Sequence, residues 1–486
     1  MKRMLPNLFE KNFYSLIWIS LIFVFTGSQL FYCKDEGGKN TKSGWAQLPA
    51  ILKNIKPPVF PNKEFKITDF GATAGENSDS KPAIDKAISK CNEAGGGRVI
   101  IPKGIYFVNG PIHLKSNVEL HLEDGAVVKF STNPDDYLPV VFTRWEGMEC
   151  YNYSALIYAY GQKNIAVTGK GTFDGQASSS NWWAWKGSKE FGWEKNMPSQ
   201  KDSSGRPLLV KMNNENVPVE KRIFGAGRYL RPNFVQFYKC ENILLKDVTF
   251  LNSPMWVLNP VLSQNISIIN VSTIGTGPNT DGCDPSSCKN VLIKNCKFKN
   301  GDDCIAIKSG RNNDGRRIGV PSENIVIQGC KMEDGHGGVT IGSEISGGCK
   351  NVFAENCKMD SPNLDRAIRL KSNTYRGGLI ENVFIRNIKI GEVKTVAHFD
   401  MKYEPAEGSN GGFLPVWRNI EIENVSSTNS HQAFYFVGLD NSKIHNINIK
   451  NCNFREVKEA SEIENVDKLK TENVFINGKL FKEEKN

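Results

Sequence analysis

The sequence lacks a long hydrophobic segment, and this argues against a protein that crosses a membrane through a helix. Its N-terminal apolar run, Leu16–Phe25, is shorter than the roughly 20 residues that a bilayer requires. The chain also contains no Cys-x-x-Cys pair of the zinc-finger kind. Its repeated segments are not joined by two-residue hairpin signals, which argues against an antiparallel β-sandwich.

Residues 1–33 predict an export signal, because basic residues flank the short apolar run. Cys33 resembles the lipidated cysteine of a bacterial lipoprotein, although Tyr32 is bulkier than the residues that usually precede one. The alternative is a secretory signal cleaved near Ser28. Both predict export to the periplasm, the outer-membrane surface or the extracellular space. Residues 34–63, rich in Gly, Lys and Pro, predict a tether, and residues 64–475 form the main domain.

A nine-residue frame recurs along the main domain. It is apolar at offsets 1 and 3, usually again at 6 and 8, and carries Asn, Asp or Gly at offset 5. Alternation indicates strands, and residues that tolerate a positive φ predict a corner between them. The copies begin at Asn242, Asn265, Asn290, Asn324, Asn351, Asn382, Asn419 and Asn446, with a divergent copy at Asn164.

One strand–corner–strand unit cannot bury its apolar face alone, whereas stacked units bury a continuous core. We therefore predict an all-β protein that forms a single-stranded parallel β-helix. The open end of such a solenoid needs a cover, and a helix near residue 85 has one apolar face. That face consists of Ala83, Ile84, Ala87, Ile88 and Cys91.

Twelve cysteines in an exported protein would ordinarily suggest disulfides. Seven of them occupy repeated positions of the frame, where other copies carry Val, Ile or Ser, so they are predicted to be buried thiols. They are Cys296, Cys330, Cys357 and Cys452 at offset 6, and Cys240, Cys288 and Cys349 two residues before the frame. A bridge among the remaining five stays open.

Four short motifs collect carboxylates, a histidine and cations within one part of the repeat. They are Asn279-Thr280-Asp281-Gly282, Gly301-Asp302-Asp303, Gly335-His336-Gly337 and Arg369-Leu370-Lys371. Asp284 is a further acidic candidate with a structural or water-positioning role. The net charge of +9 suits either an acidic partner or a merely basic surface.

The repeat predicts how these residues meet. Asp302 lies three residues before Ile305, and His336 lies three residues before Val339, so both should stack one turn apart, about 4.8 Å. Asp281 precedes them by one turn. Arg369 and Lys371 should face outward from the strand of the next turn, and two such cations would imply a negatively charged substrate.

This ordered set resembles the polygalacturonase family, glycoside hydrolase family 28, and most closely its bacterial exo-acting members. The resemblance covers roughly residues 65–455, including Phe70-Gly71-Ala72 and Ser253-Pro254-Met255-Trp256. It implies a right-handed parallel β-helix that hydrolyses α-1,4-galacturonosyl links in pectin with inversion. The implied partner is a pectic polysaccharide or oligogalacturonate, with no nucleic acid, no cofactor and no metal, and a monomer is expected.

The resemblance also implies roles for the motif residues. Asp302 would be the general acid, supported by His336, while Asp281 and Asp303 would hold and deprotonate the attacking water. Arg369, Lys371 and Asn279 would bind substrate. An inverting mechanism needs room for that water, so the acid and base are expected about 6.5–9.5 Å apart.

The insertion at residues 176–232 bears on where the enzyme would cleave the polysaccharide, at its end or internally. Tryptophans could stack on a sugar, or could instead pack the insertion onto the barrel. If it covers one end of the groove, its cations would hold a terminal sugar and action would be exo. The residues concerned are Trp182, Trp183, Trp185 and Trp193, with Lys186, Lys189, Arg228 and Arg231.

Two rival functions remain on this fold. A pectate lyase would need a cluster of carboxylates around Ca²⁺ and an arginine base, and Asp302 with Asp303 could mimic part of such a cluster. A non-catalytic carbohydrate-binding β-helix would bind sugars without releasing reducing ends.

Overall fold

The computed structural model of the protein describes residues 44–403 and 411–482. The predicted export signal, with Cys33, and the first part of the predicted tether lie outside these residues. Within the two described ranges, no helix is long and apolar enough to cross a bilayer.

The chain winds into a parallel β-helix, which confirms the predicted fold. Its strands stack in three columns, and neighbours within a column run parallel. The repeat frame supplies the first and second columns, and the segment between frames supplies the third. Equivalent apolar positions pair in register, as when Ile266 pairs with Val291 and Val291 with Ile325. The core therefore runs continuously along the inside of the solenoid.

The bounds of the strands follow the columns. The first column contains Glu64–Lys66, Gly97–Ile101, Val118–Leu122, Lys163–Gly169, Glu241–Lys246, Gln264–Ile269, Lys289–Lys294, Ser322–Gln328 and Cys349–Glu355. The second contains Gly75–Asp79, Gly104–Val108, Ala126–Phe130, Thr172–Asp174, Thr249–Leu251, Ser272–Gly275, Lys297–Asn300, Lys331–Met332 and Lys358–Met359. The third contains Ile112–His113, Ile157–Tyr160, Val235–Tyr238, Leu258–Val261, Ile305–Ile307, Val339–Gly342, Arg366–Lys371, Val457–Glu459 and Glu462–Glu464.

The last turns run through continuous strands that bend from one column into the next. These are Leu379–Asp400, Val416–Val437, Ile444–Phe454 and Val466–Ile476. Two antiparallel pairings stand apart: Val141–Trp145 pairs with Met148–Asn152, and Lys479–Leu480 pairs back onto the last long strand. The solenoid thus continues past residue 475, where the main domain was predicted to end.

Each frame has two corners, one at its opening asparagine and one at offset 5, whereas only the corner at offset 5 was predicted. Offset 5 has a positive φ as expected, for example 54° at Asn295. The opening asparagine also has a positive φ, 59° at both Asn290 and Asn324. The opening asparagines form a ladder, in which Asn324 Nδ2 donates to Asn290 Oδ1 at 3.0 Å and Asn351 Nδ2 donates to Asn324 Oδ1 at 3.0 Å. Each thus satisfies its neighbour while adopting a backbone that Asn tolerates.

The predicted buried thiols are confirmed. All eleven described cysteines are free and buried. The bridge that the sequence left open is therefore not formed among Cys91, Cys150, Cys283 and Cys304, and Cys33 lies outside the described residues.

Residues 44–55 do not behave as a free tether. A short 3₁₀ turn, Gly44–Gln47, leads into helix α1, Leu48–Asn54. Trp45 contacts Phe353 edge to face, with ring centroids 5.5 Å apart. The apolar side of this segment packs on the outer face of the first column, in a cluster of Leu48, Ile51, Ile55, Val326, Phe353 and Phe384.

Helix α2, Lys81–Glu93, covers the N-terminal end of the solenoid as predicted. The five buried residues on its inner face are the five apolar residues picked out in the sequence. Asp79 Oδ1 accepts a hydrogen bond from the backbone N–H of Lys81 at 3.0 Å, which satisfies one donor at the start of the helix.

The insertion at 176–232 packs against the barrel. It contains the 3₁₀ turns Trp182–Lys186, Lys189–Phe191 and Val219–Lys221, and helix α3, Arg206–Asn214. Helix α4, Asn312–Ile318, follows a strand of the third column and contacts α3. Trp182 is buried against Tyr137, and Trp183 Nε1 donates to the backbone oxygen of Ser253 at 2.9 Å. Trp182 and Trp183 therefore pack the insertion onto the barrel, which was the alternative to stacking on a sugar.

The asparagine ladder yields a stability prediction. Asn324→Ala removes two amide contacts and places Ala at a φ of 59°, so the free energy of unfolding should fall by about 2–4 kcal/mol. Asn324→Gly, the matched control, loses the same contacts but tolerates that φ, so its loss should be smaller by about 1 kcal/mol. Urea unfolding followed by circular dichroism measures both, and equal losses would contradict the backbone argument.

Candidate active site

Strand register brings the motif residues together on the outer face of the third column. Ile305 pairs with Val339, so the residues three positions earlier lie side by side, and His336 Nδ1 is 3.0 Å from Asp302 Oδ1. The predicted stacking of these two side chains is confirmed. A bridge between Cys283 and Ile305 sets Asp281 on the turn before.

Asp303 is held by Arg369 and Lys371, which lie two turns further along the solenoid. Lys371 Nζ lies 2.8 Å from its Oδ2, and Arg369 Nη1 lies 3.3 Å from its Oδ1. Thr340 Oγ1 donates to the same carboxylate at 3.1 Å. Burial alone would raise the pKa of Asp303, but the charges of Lys371 and Arg369 bring it below its ordinary value. Asp303 is therefore an anion with a cation paired to each of its oxygens.

Asp302 and His336 hold one proton between them. Burial raises the pKa of Asp302, but the hydrogen bond and charge of His336 outweigh it and leave this pKa below its ordinary value. The same contact raises the pKa of His336. Asn279 Nδ2 donates to the other carboxylate oxygen of Asp302 at 3.3 Å. Because the two groups interact strongly, they titrate as a pair.

The pKa of Asp281 is shifted upward, in the opposite direction to the pKa of Asp302. Burial raises its pKa well above the ordinary value, and the charges of Asp284 and Asp302 add to the effect. Burial likewise raises the pKa of Asp284, to about 8. Lys308 Nζ lies 3.8 Å from Asp281 Oδ2 and 3.5 Å from Asp284 Oδ1. One proton shared by Asp281 and Asp284, with Lys308 as counter-charge, accounts for this arrangement.

Lys308 was missed by the sequence reasoning, although a signal existed. Lys308 ends the segment Ile305-Ala306-Ile307-Lys308. This segment matches Ile368-Arg369-Leu370-Lys371, because both carry Ile or Leu at the first and third positions and Lys at the fourth. Register aligns Ile305 with Val339 and Val339 with Ile368, so Lys308 occupies the same outward position as Lys371, two turns earlier. Comparing the strands by offset would have found it.

The predicted separation between acid and base is wrong. One oxygen from each of Asp281, Asp302 and Asp303 lies within 4.8 Å of the other two. The physical reason is the spacing of the turns, since residues aligned on adjacent parallel strands cannot stand much farther apart than the strands themselves.

These carboxylates open into a cavity of about 770 Å³. Its walls carry eight Lys or Arg residues against five Asp or Glu residues, so the cavity favours an anionic ligand. Seven of its lining residues come from the insertion, among them Lys186 and Arg206. Lys189 and Arg228 do not line it, and Arg231 is buried behind it.

The tryptophan that lines the cavity is not one of those predicted. Trp256, from the Ser253–Trp256 motif, contacts Lys308, whose Nζ lies 4.8 Å from the ring centroid. Trp182, Trp183, Trp185 and Trp193 are not among the residues that line it. The signal for Trp256 was its place just before a third-column strand, which begins at Leu258.

The carboxylate cluster fits a divalent cation poorly. Ca²⁺ prefers oxygens whose charge is not already compensated. Asp303 is paired with Lys371 and Arg369, and Asp302 is paired with His336. The positive groups sit where a metal would have to enter, and this weakens the lyase reading.

A parallel β-helix whose outer face gathers three carboxylates and a histidine in a cationic cavity is the arrangement expected of a carbohydrate-cleaving enzyme of the β-helix class. Residues 225–473 match the family model described as Glycosyl hydrolases family 28, and residues 65–129 match one described as Rhamnogalacturonase A/epimerase, pectate lyase-like. The structure of a hyperthermoactive exopolygalacturonase from Thermotoga maritima is 42% identical, covers 90% of this chain and 97% of its own, and superposes with a TM-score of 0.87. The chain belongs to glycosyl hydrolase family 28, as the motifs indicated.

More distant sequence relatives agree with this membership. A probable polygalacturonase of Vitis vinifera is 26% identical over 418 residues, which is 82% of this chain and 75% of that protein. An endo-polygalacturonase of Pectobacterium parmentieri is 27% identical over 400 residues, covering 80% and 86% of the two chains. These relatives include an endo-acting protein, whereas the structure at 42% identity is exo-acting.

The charges of Asp284 and Lys308 act on Asp281 in opposite directions and therefore predict opposite pH shifts for two variants. Asp284→Asn removes a charge that raises the pKa of Asp281, so the acidic limb of kcat/KM should move to lower pH. Lys308→Met removes a charge that lowers that pKa, so the same limb should move to higher pH. Initial rates across pH measure both. Shifts of the same sign, or none, would contradict an ionised Asp281 as the working form.

Proposed function

We propose that the protein hydrolyses α-1,4-galacturonosyl links of pectic polysaccharide or oligogalacturonate, releasing galacturonate from the chain end. The observation that carries this proposal is the cationic cavity around Asp302, walled on one side by the insertion. A cavity suits a chain end, whereas a polymer cut internally needs an open groove. The 42% identity to an exopolygalacturonase supports the same conclusion.

The shared proton of Asp302 and His336 is the one delivered to the leaving oxygen. In the free protein this proton lies on His336, which leaves Asp302 ionised. When the glycosidic oxygen approaches Asp302 and develops negative charge, the proton passes through Asp302 to that oxygen, and His336 becomes neutral. This reconciles the role of general acid with a pKa that is low in the free protein.

The attacking water is held by Asp281 and Asp303. Asp281 shares its proton with Asp284, so it accepts a proton from water when the shared one lies on Asp284. Asp303 stays ionised and orients the water. Water adds at the anomeric carbon, the bond to the leaving oxygen breaks, and that oxygen receives the proton from Asp302.

Hydrolysis proceeds with inversion in this proposal, despite the short distances between carboxylates. Separations near 5 Å usually accompany retention through a covalent intermediate. Such an intermediate needs an unencumbered carboxylate, and here Asp303 is bound by Lys371, Arg369 and Thr340. Burial raises the pKa of Asp281, which suits it to take a proton from the attacking water.

The products of polygalacturonate test the function. We expect monogalacturonate alone from the start, with viscosity falling slowly, and NMR of the fresh product should show the β-anomer first. An early ladder of oligomers with rapid loss of viscosity would refute exo action, and an initial α-anomer would refute inversion. An ultraviolet-absorbing unsaturated product abolished by chelator would identify a lyase, and sugar binding without new reducing ends would identify a non-catalytic protein.

Lys371 and Arg369 also read the substrate carboxylate. Lys371→Met should lower kcat/KM on galacturonate oligomers about 10- to 100-fold, the range for losing a charged hydrogen bond. Methyl-esterified oligomers lack the negative charge, so their kcat/KM should fall less. Lys350→Met is the matched control, because Lys350 lies on the first column outside the cavity. An unchanged ratio between the two substrates in Lys371→Met would contradict the role.

We also propose export, with the protein acting as a monomer outside the cytoplasm. A polymer cannot cross a membrane intact, and the pattern of residues 1–33 supports a signal. Palmitate labelling that is lost in Cys33→Ser would support the lipid anchor. A mature N-terminus near Ser28 without label would support the cleaved signal, and a retained Met1 would refute export by either route.

A further inference from the structure

Arg231, at the end of the insertion, is the most enclosed cation near the site. Its side chain is completely buried, and its guanidinium donates to the backbone oxygens of Pro254 at 2.9 Å and Pro278 at 2.7 Å. It donates as well to Gln200 Oε1 at 3.2 Å and to Asn279 Oδ1 at 2.9 Å. A fixed fork of donors with this many acceptors leaves the guanidinium a single orientation.

A second cation of the insertion contacts the same amide. Lys186 Nζ donates to Asn279 Oδ1 at 2.6 Å. Because two positive groups lie on the amide oxygen, its Nδ2 must point the other way, and there it donates to Asp302 Oδ2 at 3.3 Å. The reversed amide would direct N–H groups at two cations, so the cations determine which way Asn279 faces.

The other oxygen of Asp302 is already in use. Its Oδ1 is 3.0 Å from His336 Nδ1 and accepts from the backbone N–H of Asp303 at 2.9 Å. Oδ2 has one protein donor, Asn279, among the described residues. It is therefore the oxygen with capacity left for a further hydrogen bond.

We propose that Arg231 and Lys186 are positioning residues that act through Asn279 to fix the carboxylate of Asp302 for proton transfer. The inserted segment is thus part of the catalytic apparatus as well as a wall of the cavity. Both cations also interact with Asp302 directly through their charge, and the part of their effect that orients the carboxylate is carried by the amide. This inference rests on the proposed role of Asp302 as acid, but its contacts exist in the free protein and can be tested there.

The alternative is that Arg231 only anchors the insertion through the backbone oxygens of Pro254 and Pro278. That role predicts lost stability and a cavity that is less well closed, without any specific effect on Asp302 or on its partner His336. The two roles differ in whether the consequences of Arg231 depend on Asn279.

The first measurement is the titration of His336 by NMR in the free protein with labelled histidine. The chain has six histidines, and His336→Gln identifies the signal. Asn279→Ala removes a donor from ionised Asp302, which strengthens its hold on the His336 proton, so the pKa of His336 should rise. Arg231→Lys should raise it too, because lysine cannot span the same acceptors and the amide turns. When Asn279→Ala is already present, adding Arg231→Lys should not raise the pKa of His336 further.

Lys186→Met provides a second variant that tests the proposal if Arg231→Lys does not fold. It should raise the pKa of His336 more when Asn279 is present than when Asn279→Ala is present, because only the direct effect of its charge on Asp302 remains in the second case. Arg228→Lys is the matched control, since Arg228 lies three residues before Arg231, donates to Ser204 O at 3.3 Å and does not line the cavity. It should leave the titration unchanged.

The second measurement is turnover on polygalacturonate. Arg231→Lys should lower kcat about 10- to 100-fold with little change in KM, and move the alkaline limb of activity to higher pH, as should Asn279→Ala. The losses should not add in the double variant. Additive losses, or a His336 pKa that Arg231→Lys does not move and that Lys186→Met moves equally with and without Asn279→Ala, would overturn the inference. A wild-type protein inactive on polygalacturonate would instead overturn the proposed function, and the titration would still decide the inference.

Discussion

Each strand of the solenoid pairs in parallel and in register with the strand one turn away. This places residues at the same offset of successive turns about 4.8 Å apart, whatever the length of the loops between them. Asn290, Asn324 and Asn351 make one ladder for this reason, and Asp302 meets His336 for the same reason. The spacing holds the apolar core together and also fixes the distances within the active site.

The spacing has an electrostatic consequence, because it brings carboxylates closer than their charges allow without compensation. The protein compensates them in three ways. Asp303 is matched by Lys371 and Arg369, and Asp302 takes its counter-charge from His336. Asp281 and Asp284 have raised pKa values and face Lys308. Neighbouring groups with pKa values displaced in opposite directions are the basis for assigning acid and base functions to separate carboxylates.

The sequence predicted whatever depends on register and little of what depends on packing between distant segments. The stack of Asp302 and His336 and the buried thiols follow from offsets within a repeat, and the N-terminal cap follows from the apolar face of its own helix. Lys308 obeyed the same rule and was overlooked. The placement of Trp183 and the burial of Arg231 could not be read from offsets, because the insertion has no repeat and its position depends on side-chain contacts with the barrel.

The distance between acid and base shows a different limit. A rule drawn from glycosidases on many folds predicted a wide gap, whereas this fold sets the gap through its strand spacing. The fold therefore overrides the general expectation, and the carboxylates differ in function through their partners more than through their separation.

The C-terminal hairpin ends the stack. A parallel solenoid presents a row of unpaired backbone groups at its last turn, and such an edge can recruit a strand from another molecule. Here Asn477 and Gly478, both at positive φ, reverse the chain, and Lys479–Leu480 pairs antiparallel with the last long strand. Phe481 then donates its N–H to the backbone oxygen of Val474 at 2.8 Å. The reversed direction interrupts the parallel pattern at Phe475 and Ile476, so a strand from another molecule could not continue the parallel stack at those two residues.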